Sequence, residues 1–126
     1  MEMRYLFKGK TICGDWVRGL LANNGDKWYI SNNAGRPFAF EIRPDTICQC
    51  TGMKDKNGKL IWENDIVRTV YDGNEHIYQV VWDESELDFK ATNGKENYES
   101  NFEYLPCCDE IEILGNCFDN PELLEV

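Results

Sequence analysis

Four Asx-Gly pairs divide this chain into short segments, and they constrain its fold more than any other feature of the sequence. The pairs are Asn24-Gly25, Asn57-Gly58, Asp72-Gly73 and Asn93-Gly94. Asn, Asp and Gly adopt positive φ angles at little cost, which is what a tight hairpin turn requires. Each pair lies between runs rich in β-branched and aromatic residues, which favour strands. The sequence therefore predicts a series of antiparallel hairpins.

The runs between these turns have the two-residue periodicity of half-buried strands. The even positions from His76 to Trp82 are predicted to share one face, and Ile111 and Ile113 are predicted to point inward from a later strand. No window of a dozen residues has a sustained 3.6-residue apolar period. Short strands at about ten-residue spacing predict a mostly β fold. We expect a small antiparallel barrel-like core, SH3-like or similar, with additional hairpins and little helix.

Helix and domain boundaries are weakly marked. One helical turn is predicted after Pro121, capped by Asp119 or Asn120, while a short helix from Ser100 to Leu105 is left open. A length of 126 residues is close to the commonest domain size, and no linker or repeat interrupts the chain. We therefore expect a single domain over residues 1–126.

The acidic composition of the chain limits which classes of molecule it can bind. The chain has 13 Lys and Arg against 23 Asp and Glu, a formal net charge of −10. Such a charge repels a phosphate backbone, so we do not expect direct nucleic-acid binding. Lys54, Lys56 and Lys59, around one turn, form the obvious basic cluster. The acidic runs are interpreted first as solvated faces, and a surface that docks a basic protein partner of unknown identity is the alternative.

The expected location is the cytoplasm. No stretch approaches the roughly 20 apolar residues of a membrane helix, and the first residues lack the apolar region of a signal peptide. We expect no membrane association. In a reducing compartment the six cysteines are expected to be mostly buried thiols rather than disulfides.

Signatures of catalysis are missing from the sequence. Nucleophilic catalysis usually pairs Ser or Cys with His, and the single histidine, His76, lies in a predicted strand beside a turn. An ordinary exposed residue is the favoured interpretation there. No G-x-S-x-G, H-E-x-x-H or phosphate-binding Gly-rich motif occurs. We expect a protein without catalytic residues, although an enzyme is kept as an alternative.

The cysteines and one acidic run are the candidate metal ligands. Cys48, Cys50 and the adjacent Cys107-Cys108 could supply four thiolates to zinc, but C-x-C lacks the turn of a zinc knuckle. Buried thiols are therefore favoured, and we expect no metal or cofactor. The acidic run from Asp83 to Asp88 lacks the glycine of a calcium loop. A solvated face is favoured there, with a divalent-metal-dependent enzyme as the alternative function.

Residues 51–67 are the most distinctive segment, reading T-G-M-K-D-K-N-G-K-L-I-W-E-N-D-I-V. This segment closely resembles the central signature of the YopX family of phage and prophage proteins, T-G-L-x-D-K-N-G-x-x-I-Y-E-G-D-I-V. The resemblance extends over nearly the whole chain. Further family elements are matched at residues 7–10, 15–19, 80–83, 113–116 and 120–124.

Some positions depart from the family pattern. Asn64 stands where the family usually has Gly, and Asn is the next most tolerant residue of left-handed φ. Trp62 replaces Tyr. Asn57 and Gly58 match the pattern, and both are predicted to adopt positive φ in the turn. Cys48 and Cys50 occupy positions where Gly and Tyr are expected, so the resemblance implies no shared metal site there.

The resemblance implies a phage or prophage origin, a bacterial cytoplasmic location, a β-rich fold, self-assembly as an open option, and no established enzymatic activity. The leading hypothesis is a non-enzymatic protein-interaction module. An acidic mimic of nucleic acid that binds a host protein is a further alternative. The signature positions, expected to be mainly structural with an interaction surface as the other option, are Thr51, Gly52, Asp55, Asn57, Gly58, Trp62, Asp65, Trp82 and Asp83.

Overall fold

The computed structural model describes residues 6–31, 39–92 and 102–124. These residues form eleven strands and short 3-10 turns, without an α-helix. The mostly β, antiparallel prediction is therefore confirmed. The strands are β1 (Phe7–Lys10), β2 (Trp16–Asn24), β3 (Lys27–Ser31), β4 (Phe40–Ile42), β5 (Cys48–Lys54), β6 (Leu60–Trp62), β7 (Asp65–Tyr71), β8 (Asn74–Asp83), β9 (Asp88–Thr92), β10 (Phe102–Tyr104) and β11 (Glu110–Asn116).

The chain divides into two compact units, Met1–Gly52 and Met53–Val126. Strand β5 crosses the division, and its last two residues begin the second unit. The expectation of one YopX-like domain over residues 1–126 stays a prediction.

The first unit contains a curled antiparallel sheet in the order β4-β3-β2-β1-β5. Its edge strand β4 returns to the end of β1 through a bridge between Thr11 and Ile42. The Arg43 N–H also donates to the Lys10 carbonyl at 2.8 Å. This curl requires a close approach at Gly9, where an added Cβ would lie 2.4 Å from Cγ2 of Ile42. The result is barrel-like, although a single bridge does not close a barrel in the described residues.

The second unit contains an antiparallel sheet in the order β10-β9-β8-β7-β11, preceded by β6, which pairs with β5. Its core gathers Ile61, Val67, Tyr78, Val80, Ala91, Leu105 and Ile111, with Ile113 packed against it. The inward orientation predicted for Ile111 and Ile113 is confirmed. Of the four even positions from His76 to Trp82, Tyr78 and Val80 are buried, whereas Trp82 remains 37% exposed and His76 is exposed.

The Asx-Gly turns agree only partly with the prediction. Asp72 and Gly73 both have positive φ, at 50° and 80°, in a two-residue turn joining β7 to β8. The first predicted turn is displaced by one residue, because Asn24 belongs to β2 and the loop is Gly25-Asp26. The predicted positive φ at Asn57 is wrong: in that turn Gly58 alone takes it, at 82°. Asn93-Gly94 lies outside the described residues.

The helical predictions have mixed outcomes. A single 3-10 turn at Pro121–Leu124 confirms the helical turn predicted there. The helix considered from Ser100 to Leu105 is wrong in its described part, since Phe102–Tyr104 is strand β10 paired with β9. Pairing along β9 overrides the weak local preference. In the described ranges no helix has the length and apolar character needed to cross a membrane.

Candidate functional site

Asp55 holds together the turn in the middle of the signature. Its carboxylate is 7% exposed, and Oδ1 accepts the N–H groups of Asn57 and Lys59, each at 2.9 Å. Oδ2 accepts the N–H of Ile113 in β11 at 3.1 Å. Burial would raise the pKa of Asp55, but the three N–H donors and the charge of Lys59 outweigh burial and lower this pKa. The Asp55 carboxylate therefore connects this turn to β11.

A second buried carboxylate fixes the turn that leads into β7. Asp65 is 3% exposed, and its Oδ2 accepts the N–H of Trp62, itself 5% exposed, at 2.8 Å. Asn64, between them, has φ of 72°, so the left-handed conformation predicted from its place in the signature is confirmed. The Asn64 N–H donates to the Val80 carbonyl at 2.7 Å. This part of the signature connects β6 and β7 to β8.

The remaining residues of the central signature have positions that suit a structural role. Thr51 is 7% exposed in β5, and Gly52 adopts φ of 84°, a conformation that favours glycine. Gly58 supplies positive φ in the turn, and Asn57 is exposed beside it. Buried hydrogen-bonded groups and special backbone angles account for this segment.

Asp83, at the end of β8, belongs to a charged cluster around a buried lysine. Lys90 is 2% exposed, and its Nζ lies 2.6 Å from Oδ2 of Asp83 and 3.0 Å from Oε1 of Glu86. The Tyr104 hydroxyl donates to the other oxygen of Glu86 at 2.7 Å, and its ring centre is 5.1 Å from Nζ. Hydrogen bonds from Lys90 and Ser85 hold the pKa of Asp83 well below its usual range.

Trp82 lies beside this cluster in sequence, but the structure gives it a different environment. Its ring packs edge-on against Phe89, with 4.9 Å between the ring centres. With 37% of its surface exposed, Trp82 is the most exposed signature aromatic. It is therefore available for contact with a partner, in contrast to the buried Trp62.

Arg68 organises a second charged cluster on the sheet of the second unit. Its guanidinium donates to Glu75 at 2.7 Å, to Glu112 at 3.1 Å and to Glu110. These carboxylates come from β8 and β11, the two neighbours of β7. The hydrogen bonds that Arg68 donates to Glu110, Glu75 and Glu112 raise the pKa of Arg68 further, so it stays charged. Nζ of Lys56 lies 3.6 Å from Oε2 of Glu110, so three carboxylates against two cations leave the cluster with one excess negative charge.

His76 and Cys108 meet on one carboxylate, Glu103. Nδ1 of His76 lies 3.0 Å from one oxygen, and the Cys108 thiol donates to the other at 3.2 Å. Burial, reinforced by the hydrogen bond to Glu103, raises the pKa of Cys108 to about 12. A thiol held protonated is a poor nucleophile. The trio therefore lacks the activated thiolate of cysteine catalysis.

The candidate metal ligands are not brought together. Cys48 and Cys50 are buried in the first unit, at 1% and 0% exposure, whereas Cys107 is exposed in the second. The described residues contain no group of three or more His, Cys, Asp or Glu side chains that could hold a metal ion. In the acidic run, the Lys90 ammonium contacts Asp83 and Glu86.

Sequence reasoning identified the acidic run from Asp83 to Asp88 but missed Lys90 as its partner, and it missed the Arg68 cluster. Arg68 meets glutamates 42 and 44 residues away in sequence, and strand register alone brings them together. Nothing in the sequence predicts that Lys90 is buried, because a lysine in a strand is normally exposed. Two-residue alternation could have placed Arg68 and Glu112 on faces of their strands, but not opposite each other.

Fold and site together define a class: a small antiparallel β protein of two units, with two charged clusters around Arg68 and Lys90. Comparison with known families narrows this class. The family model described as YopX protein matches residues 8–125. The chain therefore belongs to the YopX family, as the signature at residues 51–67 indicates. No curated protein matches the chain.

Proposed function

We propose that this protein is a non-enzymatic interaction module of phage or prophage origin, acting in the bacterial cytoplasm, whose second unit binds a basic protein partner. The observation that carries the proposal is the division of charge between the units. The second unit has 6 Lys and Arg against 18 Asp and Glu, a net charge of −12. The first has 7 against 5, a net charge of +2.

The ion pairs that Arg68 and Lys90 form with carboxylates support a binding function over a catalytic one. Arg68 and Lys90 neutralise part of the carboxylates in two clusters and hold them in defined positions. The carboxylates in excess create a negative field over the unit, which speeds encounter with a basic surface and disfavours acidic partners. The match to the YopX family and the buried carboxylates of Asp55 and Asp65 are compatible with the same proposal, because neither identifies a group that would react with a substrate.

The test uses the full chain and two neutralised variants. The protein, immobilised, captures candidate partners from bacterial lysate, and each purified partner is then titrated by calorimetry at several salt concentrations. The second-unit variant Glu84→Gln/Asp109→Asn/Glu122→Gln removes three charges from residues exposed to solvent. Its matched control, Asp15→Asn/Asp26→Asn/Asp45→Asn, removes three from exposed positions of the first unit. Light scattering reports the oligomeric state of each sample.

The expected partner is basic, and its affinity falls steeply with salt. We expect the second-unit variant to weaken binding about tenfold or more, and the first-unit control to change it less than about threefold. A partner that is acidic, or whose binding ignores both salt and the second-unit variant, would contradict the proposal. If the partner is a DNA- or RNA-binding protein displaced by its nucleic acid, the acidic-mimic form of the proposal is supported.

The metal-dependent enzyme is the less favoured function. An ammonium group already lies 2.6 Å from Asp83 and 3.0 Å from Glu86, where a bound cation would compete with it. Calorimetry with magnesium and manganese chloride at millimolar concentration tests this alternative. Stoichiometric heat that disappears in Asp83→Asn would favour the enzyme, and heats equal to those of dilution would reject it.

A further inference from the structure

The end of the hairpin formed by β8 and β9 exposes two large apolar side chains. Strand β8 ends at Asp83 and β9 begins at Asp88, and these two residues are paired at the end of the ladder. The loop between them ends in Leu87, which at 74% has the largest exposed fraction among the large hydrophobic residues that the structure describes. Trp82, the residue before Asp83, is 37% exposed. We call residues 82–89 the β8–β9 tip.

The two exposed apolar residues of the tip lie close together. Each is the chain neighbour of one member of the pair Asp83–Asp88, so their Cα atoms are separated by about 13 Å at most. Phe89, two residues beyond Leu87, packs edge-on against the ring of Trp82. The apolar part of the tip therefore spans about two turns of an α-helix, each about 5.4 Å long.

Hydrogen bonds fix the backbone of the tip. Oδ1 of Asp83 accepts the N–H and the hydroxyl of Ser85 at 2.9 and 2.6 Å, and the N–H of Glu86 at 3.3 Å. The buried Lys90 ammonium joins Asp83 to Glu86 through their other contacts. Leu87 has φ of 55°, where glycine or asparagine would be less strained, so the turn itself does not require leucine. A loop that is ordered before binding loses less entropy when a partner arrives.

The tip is also acidic. Four carboxylates against one ammonium give it a net charge of −3, from Asp83, Glu84, Glu86 and Asp88 against Lys90. The second unit as a whole carries −12. A surface that packs on the two apolar side chains therefore meets negative charge around them, which favours cations beside its own apolar groups. A second copy of this unit has the same negative charge and is repelled.

We propose that the β8–β9 tip binds a basic amphipathic helix of a partner protein. The apolar stripe of such a helix would pack on Leu87 and Trp82, and its flanking lysines or arginines would lie beside the carboxylates. A segment added as a strand would bond to the backbone, whereas the features exposed here are side chains. This proposal rests on the proposed function, because it names the place on the second unit and the chemistry by which a basic partner binds.

The experiment measures fluorescence anisotropy of a labelled 18-residue helix-forming peptide of leucine and lysine, titrated with the full chain at 25 to 200 mM salt. One comparison peptide has glutamine in place of every leucine, and another has glutamate in place of every lysine. Leu87→Asn removes the exposed apolar side chain and suits the positive φ, whereas Leu87→Met keeps an apolar side chain. The matched control Tyr71→Asn removes an apolar side chain that is 49% exposed at the opposite end of β8, roughly 30 Å from the tip. Circular dichroism confirms that each variant is folded, and light scattering reports its oligomeric state.

A hairpin end buries less area than a standard interface, so we expect a Kd of about 10–100 μM for the leucine–lysine peptide. Leu87→Asn should weaken binding at least fivefold, while Leu87→Met and Tyr71→Asn stay within about twofold of the parent. The glutamine peptide should bind at least tenfold more weakly, and the glutamate peptide should not bind. Absence of binding at 25 mM salt would overturn the proposal, as would equal losses in Leu87→Asn and Tyr71→Asn. A dimer of this chain that Leu87→Asn dissociates would assign the tip to a second copy and would also overturn it.

Failure of this proposal can be distinguished from failure of the proposed function, because Leu87→Asn leaves every charge of the second unit in place. A captured basic partner that depends on Glu84, Asp109 and Glu122 but binds Leu87→Asn as tightly as the parent would overturn the tip and leave the proposed function standing. Binding of the peptide that requires Leu87, without capture of any basic partner, would support the tip and contradict the proposed function.

Discussion

Replacing Asp55 tests whether the residues of the family signature stabilise the fold. Its carboxylate accepts three backbone N–H groups and is 7% exposed. Asp55→Ala leaves those donors without their acceptor, and hydrogen bonds to a charged group contribute about 1.5–3 kcal/mol each. Local relaxation and water recover part of the loss, so we expect destabilisation of about 3–5 kcal/mol. Asp55→Asn keeps one oxygen but points an amide donor at an N–H group, and should cost about 2 kcal/mol.

Urea denaturation followed by tryptophan fluorescence measures these changes. With a slope of about 2 kcal/mol per molar urea, the midpoint should fall by about 1 M for Asp55→Asn and about 2 M for Asp55→Ala. The matched control is Asp72→Asn, which removes the same charge from an exposed turn residue with φ of 50°. Asn tolerates that angle well, so its stability should stay within about 0.5 kcal/mol of the parent.

The pH dependence gives a second readout on the same carboxylate. The pKa of Asp55 is lower in the folded protein than its ordinary value of 3.8. Stability from such a group is complete above the unfolded pKa and is lost as pH falls through the folded pKa. The difference between parent and Asp55→Asn should therefore shrink below about pH 4. Equal stability of the two proteins at pH 7, or a difference that grows on acidification, would refute the structural role.

Three further substitutions test other parts of the fold. Asn64→Ala should be about 1 kcal/mol less stable than Asn64→Gly in urea denaturation, because φ is 72° and only glycine is unstrained there; equal stabilities would contradict this. Gly9→Ala should lower stability by about 1–3 kcal/mol, since the new Cβ would lie 2.4 Å from Cγ2 of Ile42. Ile42→Ala removes that methyl group, so Gly9→Ala/Ile42→Ala should lose less than the sum of the two single losses, and additive losses would contradict the contact. Lys90→Met should lower the thermal midpoint by several degrees, because its two carboxylate partners lose their cation, and an unchanged midpoint would exclude that role.

Local rules predict the backbone correctly at turns whose residues clearly favour positive φ. Asp72-Gly73 adopts the predicted turn because both residues tolerate positive φ, and Asn64 substitutes for glycine for the same reason. Local rules fail where pairing with another strand or a side-chain hydrogen bond sets the backbone conformation of a residue. Asn24 continues β2 because it pairs with Lys27, and Asn57 avoids positive φ because Asp55 accepts its N–H and Gly58 makes the turn.

By itself, the sequence determined the antiparallel β class, many of the strands, the turn at Asp72-Gly73, the family and the acidic character of this protein, because these follow from local conformational preference, composition and motif. Only the tertiary structure decided which charges meet. Register places Arg68 among distant glutamates, buries Lys90 between carboxylates and sets Lys8 opposite Arg18. Such neighbours depend on strand order and pairing, which involve residues far apart in the chain and leave no periodic signal within any one segment.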